Sequence, residues 1–301
     1  DRRRFSCQGN NFADKPLLGN GAGTFQFTWR ENRSITNDVR DAHSLYLETL
    51  SELGLAGALG RFITPDAFDQ LSAADQKRFA ETAARALLAG RDGFALTVAV
   101  PEDIQRGVLG EHDVVVFMGG SGTVQGRNLG DEGKPRVKDF VAGGGGYIGV
   151  CAGAYLALQG EDQFHKLRMV AGRNLTGDFW QRGIAGLDVE APGRPRFKLF
   201  YANGPIFTPV EVPALTPYVG LASFVGEIYS AAKGTGPGEM PGTPAITASA
   251  FEAGRVLLFS PNPVLGGRGV AQPELMLAGL KWAAARGPVP QDIRFADVFG
   301  A

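Results

Sequence analysis

The chain predicts an α/β domain: a mainly parallel sheet with helices on both faces. Strand-like and helix-like runs alternate from about residue 94 onward. Two strand-like runs, VVVFM at 114–118 and YIGV at 147–150, are continuous and apolar, as strands buried on both faces are. Both end in small residues, at the strand ends where open α/β sheets place their sites.

The elements follow in order. Residues 72–88 form a helix: Ser72 caps it, Asp75 occupies the capping-box position and Gly90 ends it. Residues 94–100 form a strand and 101–104 a short helical turn. Residues 113–118 form the next strand, 135–142 a short helix and 147–150 a third strand. Later strands lie at 197–202 and 255–260, and 275–284 is the last helix. Residues 180–195 and 231–244 read as Gly/Pro-rich loops, the second being either a cover over a site or a disordered stretch.

Composition narrows the function classes. The chain has 301 residues, 44% hydrophobic and 20% charged, the balance of an ordinary globular protein. Net charge is −1, and the only basic run is Arg2-Arg3-Arg4, so nucleic-acid binding has little electrostatic support. No run approaches the ~18 apolar residues of a membrane span. Two cysteines, Cys7 and Cys151, make no disulfide framework. With three scattered histidines no zinc site is expected, and no cofactor is implied.

The most informative stretch is GGGGYIGVCAGAYLAL at 143–158. A strand ends in Cys151, the small residues Ala152, Gly153 and Ala154 follow, and an apolar helix-like run continues. A nucleophile on a sharp strand-to-helix turn needs this spacing, because bulky neighbours would block the turn. The helix N-terminus would favour thiolate. The alternative is a buried cysteine at a tight βα junction. The second segment, DVVVFMGGSG at 113–122, ends in Gly119-Gly120-Ser121-Gly122, a loop able to turn N–H groups toward an oxyanion.

DVVVFMGGSG followed by RVKDFVAGGGGYIGVCAGAYLAL resembles the class I glutamine amidotransferase-like superfamily, in its branch with a biotin-protein-ligase N-terminal-type domain. YANGPIF at 201–207, PAITASAFEAGRVLLFSPNP at 244–263 and LMLAGLKWAA at 275–284 extend the resemblance over residues 90–286. It implies a flavodoxin-like three-layer sandwich, Cys151 as nucleophile, and an oxyanion hole at Gly119 and Gly120. Ser121, Ala152, Tyr147 and Asn203 join them as candidate oxyanion or binding residues. In the superfamily a His-Pro-Glu sequence supplies the base. Here Asn262 stands at the histidine position and Val264 at the acid position. Asparagine cannot take up a proton near neutral pH, so the triad is broken at two places. His43, His112 and His165 lie elsewhere in the sequence, and Glu227 and Glu239 are candidate orienting acids.

Residues 16–59 resemble a fragment of the O-antigen ligase and polymerase family, on GNGAGTFQFTW and DAHSLYLETLSELGLAG. Arg40 and His43 match that motif, but the transmembrane helix that follows it in the family is missing. Ala42 to Leu59 is an amphipathic helix candidate. The chain begins at Asp1 rather than Met, which leaves open whether a further N-terminal stretch, with or without a secretion signal, precedes it. The expected organisation is an N-terminal extension at 1–60, a helical connector at 61–90, the amidotransferase-like domain at 91–287 and a tail at 288–301.

Two functions fit. One is amide hydrolysis or acyl transfer through Cys151. The other is a catalytically impaired homologue that binds a small molecule or a protein partner at the same edge. A glycan-handling fragment is a distant third, and homo-oligomerisation and compartment are left open.

Overall fold

The structure, a computed structural model, describes residues 93–265 and 269–300. The expected extension at 1–60, the helices at 42–59 and 72–88, Cys7 and His43 lie outside the described residues. Of the described residues, 99–264 and 269–300 make one compact unit.

The unit is a mixed α/β fold. Its elements are α1 (Pro101–Gln105), β1 (Val114–Phe117), α2 (Gly122–Ala142), β2 (Gly146–Val150), α3 (Ala152–Ala157), β3 (Gly172–Asn174), β4 (Ile184–Ala191), β5 (Arg194–Ala202), β6 (Phe207–Pro209), β7 (Val219–Phe224), β8 (Pro244–Phe251), β9 (Gly254–Phe259), α4 (Pro273–Ala284) and α5 (Phe295–Phe299). Seven strands form one sheet in the order β1-β2-β9-β8-β7-β4-β5, and β3 pairs with β6 apart from it.

The expected parallel pairing holds for β1-β2-β9, the part that carries Cys151. The pairings β9-β8, β8-β7, β7-β4 and β4-β5 are antiparallel. For β4-β5 and β8-β9 the reason is connection length. A parallel crossover needs a dozen or more residues, whereas β4 to β5 and β8 to β9 are two-residue turns. Gly193 (φ 77°) and Glu252 (φ 52°) take the left-handed backbone these turns require. The first of these hairpins lies largely within 180–195, which was expected to be loop.

Other boundaries also move. Residues 94–100 form no strand, since no described strand pairs with them and Leu96 is exposed. The helix expected at 135–142 begins at Gly122, where Ser121 Oγ accepts the Val124 N–H at 3.3 Å. It breaks at Gly130, whose φ of 66° is not helical. Residues 288–301, expected as a tail, pack onto the domain: Ile293, Phe295 and Val298 are buried, and Phe299 lies 6.1 Å from the Phe259 ring.

All five residues of β2 are buried, between β1 and β9 in the sheet. Tyr147 and Val256 belong to a core with Leu156, Leu158, Val137 and Phe207. Helix α4 lies close to β9, because a Cβ on Gly279 would sit 2.6 Å from Leu257 Cδ2.

Candidate functional site

Cys151 sits where β2 hands over to α3. Its N–H donates to the Phe259 carbonyl of β9 at 2.9 Å, so the turn is pinned to the neighbouring strand. Its backbone takes φ 52°, ψ −101°, a conformation L-residues rarely adopt and one that tends to mark functional sites. Glycines make room for it. A Cβ on Gly149 would lie 2.5 Å from the Gly153 carbonyl oxygen, and one on Gly153 would overlap the Phe117 carbonyl. The Tyr147 hydroxyl donates to the same Gly153 carbonyl at 2.7 Å and braces the turn from beneath.

The sulfur is a neutral donor. The Cys151 thiol gives its hydrogen to the Ala202 carbonyl at 3.3 Å. Burial pushes the thiol up to about 12, and the Ala152 N–H offsets only part of that. Burial thus opposes the thiolate for which the helix start argues. Helix α3 has six residues, and desolvation outweighs what its N–H groups supply.

Several expected residues do gather here. Gly119 approaches closely: a Cβ on it would lie 3.9 Å from Cys151 Cβ. Gly120 follows with φ 134°. Ala152 directs its N–H at the sulfur. Ser121 instead caps α2. Tyr147 does not line the site, because it is fully buried and stacks on Phe117.

The sheet curls so that β5 returns to the ends of β2 and β9. Its Ala202 carbonyl takes the Cys151 thiol, and its Phe200 carbonyl takes the Asn262 N–H at 2.7 Å. Two residues along a strand span about 7 Å, so position 262 adjoins the cysteine as the resemblance requires. Asn262 Oδ1 accepts the Val264 N–H at 2.9 Å, closing a local turn.

The described histidines play other parts. His112 Nδ1 is 2.9 Å from the Val108 carbonyl, and His165 ends a one-turn helix with φ 51°. Neither hydrogen-bonds Cys151. The two glutamates orient no histidine. Glu239 pairs with Arg182 at 2.6 Å and accepts the Gly236 N–H, while Glu227 accepts the Gly238 N–H. Among the described residues no group of three or more His, Cys, Asp or Glu side chains is placed to hold a metal ion, and no helix is long and apolar enough to cross a membrane.

A second cluster adjoins the elbow, and one of its members, Asn203, is a candidate binding residue by sequence. Tyr155 donates its hydroxyl to the Asn203 carbonyl at 3.3 Å, and its ring lies 5.8 Å from that of Trp180. Asn203 Oδ1 accepts from the N–H groups of Arg182 (2.8 Å) and Gly183 (2.6 Å). Lys166 pairs with Asp178 at 2.8 Å and stands 5.1 Å from the Tyr155 ring centre. Burial lowers the Lys166 ammonium, and Asp178 partly restores it. For its other members the local hint was the run of aromatic and charged residues DFWQR at 178–182.

Comparison with known proteins adds a partial match to one family model. The model described as "Biotin-protein ligase, N terminal" matches residues 110–177. This is less than a quarter of the chain, but it holds the glycine loop, the elbow and α3. The resemblance of residues 16–59 to an O-antigen ligase gains no support from it. No curated protein matches the chain. Among solved structures, one titled as a glutamine amidotransferase is 21% identical, over 60% of this chain and 84% of its own, with a TM-score of 0.42. A thua-like protein from Bacteroides uniformis is 16% identical, over 65% and 75%, with a TM-score of 0.41. A beta-galactosidase from Bacillus circulans sp. alkalophilus is 16% identical, over 77% of this chain but 34% of its own, with a TM-score of 0.40.

Proposed function

We propose that residues 99–300 form a glutamine amidotransferase-like domain that binds a small molecule or a protein segment at the Cys151 edge without turning it over. One observation carries the reading. The thiol is protonated and spent on the Ala202 carbonyl, while the base position holds Asn262, whose Oδ1 is spent on Val264. An amide group there cannot draw off the thiol proton, so the step that begins covalent catalysis has no acceptor among the described residues. The elbow geometry and the nearby Gly119 remain as a recognition surface.

A second reading, acyl transfer through Cys151, is favoured by the strained φ of 52° at a non-glycine residue. The two separate in an amide-hydrolysis assay with glutamine and simple acyl amides. Wild type and Cys151→Ala are expected to give the same rate, indistinguishable from buffer. A wild-type rate tenfold or more above that of Cys151→Ala would establish the second reading in place of the first.

A further inference from the structure

Asn203, with φ 54°, shares with Cys151, at φ 52°, a backbone sign that L-residues seldom take, although asparagine takes it more readily than most. It directly follows Ala202, whose carbonyl accepts the Cys151 thiol at 3.3 Å. Its polar groups are turned inward on the protein. Asn203 Oδ1 accepts the Arg182 N–H at 2.8 Å and the Gly183 N–H at 2.6 Å. Its own N–H donates to the Gly183 carbonyl at 3.1 Å. Its carbonyl accepts the Tyr155 hydroxyl at 3.3 Å, and the Tyr155 N–H returns to the Cys151 carbonyl at 3.1 Å. The next residue seats the turn on the end of β9. A Cβ on Gly204 would overlap the Ser260 carbonyl oxygen, and the Gly204 carbonyl accepts the Tyr201 hydroxyl at 2.9 Å.

The link to the sulfur runs through one peptide. A trans peptide is a rigid plane whose C=O and N–H point opposite ways. The N–H of the Ala202–Asn203 peptide is taken by Gly183, so its C=O faces the other way, where the Cys151 thiol meets it. The Asn203 side chain holds the same 182–183 backbone from a second point, which stops that plane from turning. We infer that Asn203 is a positioning residue of the Cys151 site: by gripping the Arg182–Gly183 backbone it aims the Ala202 carbonyl at the thiol and sets the hydrogen bond in which the thiol is held. This deepens the binding reading above and rests on it. It also accounts for asparagine where glycine would take the same φ, because glycine lacks the oxygen that grips.

The test is the infrared S–H stretching band of the full chain at neutral pH. The chain has two cysteines, so a Cys7→Ser background leaves one thiol, and Cys151→Ala assigns its band. A thiol that donates a hydrogen bond absorbs at lower wavenumber than one that does not. Asn203→Gly, which keeps the φ and removes the oxygen, is expected to move the band to higher wavenumber. Asn203→Asp keeps the oxygen and tolerates the φ, and its band should stay at or below the wild-type position. A role in packing alone would lower stability and leave the band where it is. A band unmoved in folded Asn203→Gly therefore overturns the inference, and so does an upward move of equal size in Asn203→Asp. Should Asn203→Gly fail to fold, Tyr155→Phe takes its place. It removes only the hydroxyl that holds the Asn203 carbonyl, and it should move the band the same way by a smaller step; no step overturns the inference. A wild-type chain with no Cys151 band at neutral pH holds a thiolate and sinks the binding reading together with this inference. A band that is present but indifferent to position 203 sinks this inference alone.

Discussion

Replacing Asn262 by His together with Val264 by Glu is expected to speed alkylation of Cys151 at pH 7 by about 100-fold. The thiol stands at about 12 because it is desolvated without a charged partner. A cysteine beside a protonated histidine falls to about 3.5–7.5, so even a partial move toward that range raises the thiolate fraction by orders of magnitude. The placement supports the effect, since Asn262 and Cys151 hydrogen-bond to carbonyls two residues apart on β5. The double change removes the Asn262–Val264 hydrogen bond, a loss of about 1 kcal/mol that the fold should tolerate. Iodoacetamide kinetics, read by mass spectrometry on the Cys151 peptide, decide the matter. A gain below threefold in a folded variant would mean that position 262 does not reach the sulfur.

Gly153→Ala is expected to destabilise the domain by about 3 kcal/mol or more, the upper end of what overpacking does. The new methyl would overlap the Phe117 carbonyl oxygen and sit 2.7 Å from Phe117 Cβ. Backbone atoms of β1 cannot rotate away, and β1 is held in register by β2. Gly110→Ala is the matched control: its Cβ meets nothing within 4 Å, and a change below about 0.5 kcal/mol is expected. Urea unfolding of the three proteins measures both. A Gly153→Ala variant within 1 kcal/mol of wild type would mean that the elbow does not pack beneath β1 as described.

The elbow was legible because its chemistry is local. An apolar strand, a cysteine and small residues in sequence can make few other structures. Tyr147 was misplaced for a physical reason: with every residue of β2 buried, neither face reads as the outer one, and a phenol on an inner strand looks like one that lines a site. The start of α2 was hidden by Gly122, Gly126, Gly130 and Gly133, which lower helix propensity, although Gly126 packs against the His165 backbone. β4 was obscured by its own glycine and by the Pro192-Gly193 turn beyond it, which reads as loop until the hairpin is seen. The Arg182–Glu239 pair joins residues 57 positions apart, and no local pattern announces it. Least legible was the state of the sulfur. The sequence places Cys151 at a helix start, which argues for thiolate, but the burial that opposes it comes with contacts to β5 and β9, distant in sequence.

The most direct measurement is the alkylation rate of wild-type Cys151 against pH, with the same chain in denaturant as reference. The unfolded thiol should titrate near 8.5. The folded one should stay protonated through neutrality and gain reactivity only as pH climbs toward about 12. At pH 7 that is a difference in thiolate fraction of about a thousandfold or more. A folded rate that keeps rising above pH 10 is the result expected of a buried thiol without a base. A folded rate already level by pH 8 would contradict it and return Cys151 to the role of an activated nucleophile.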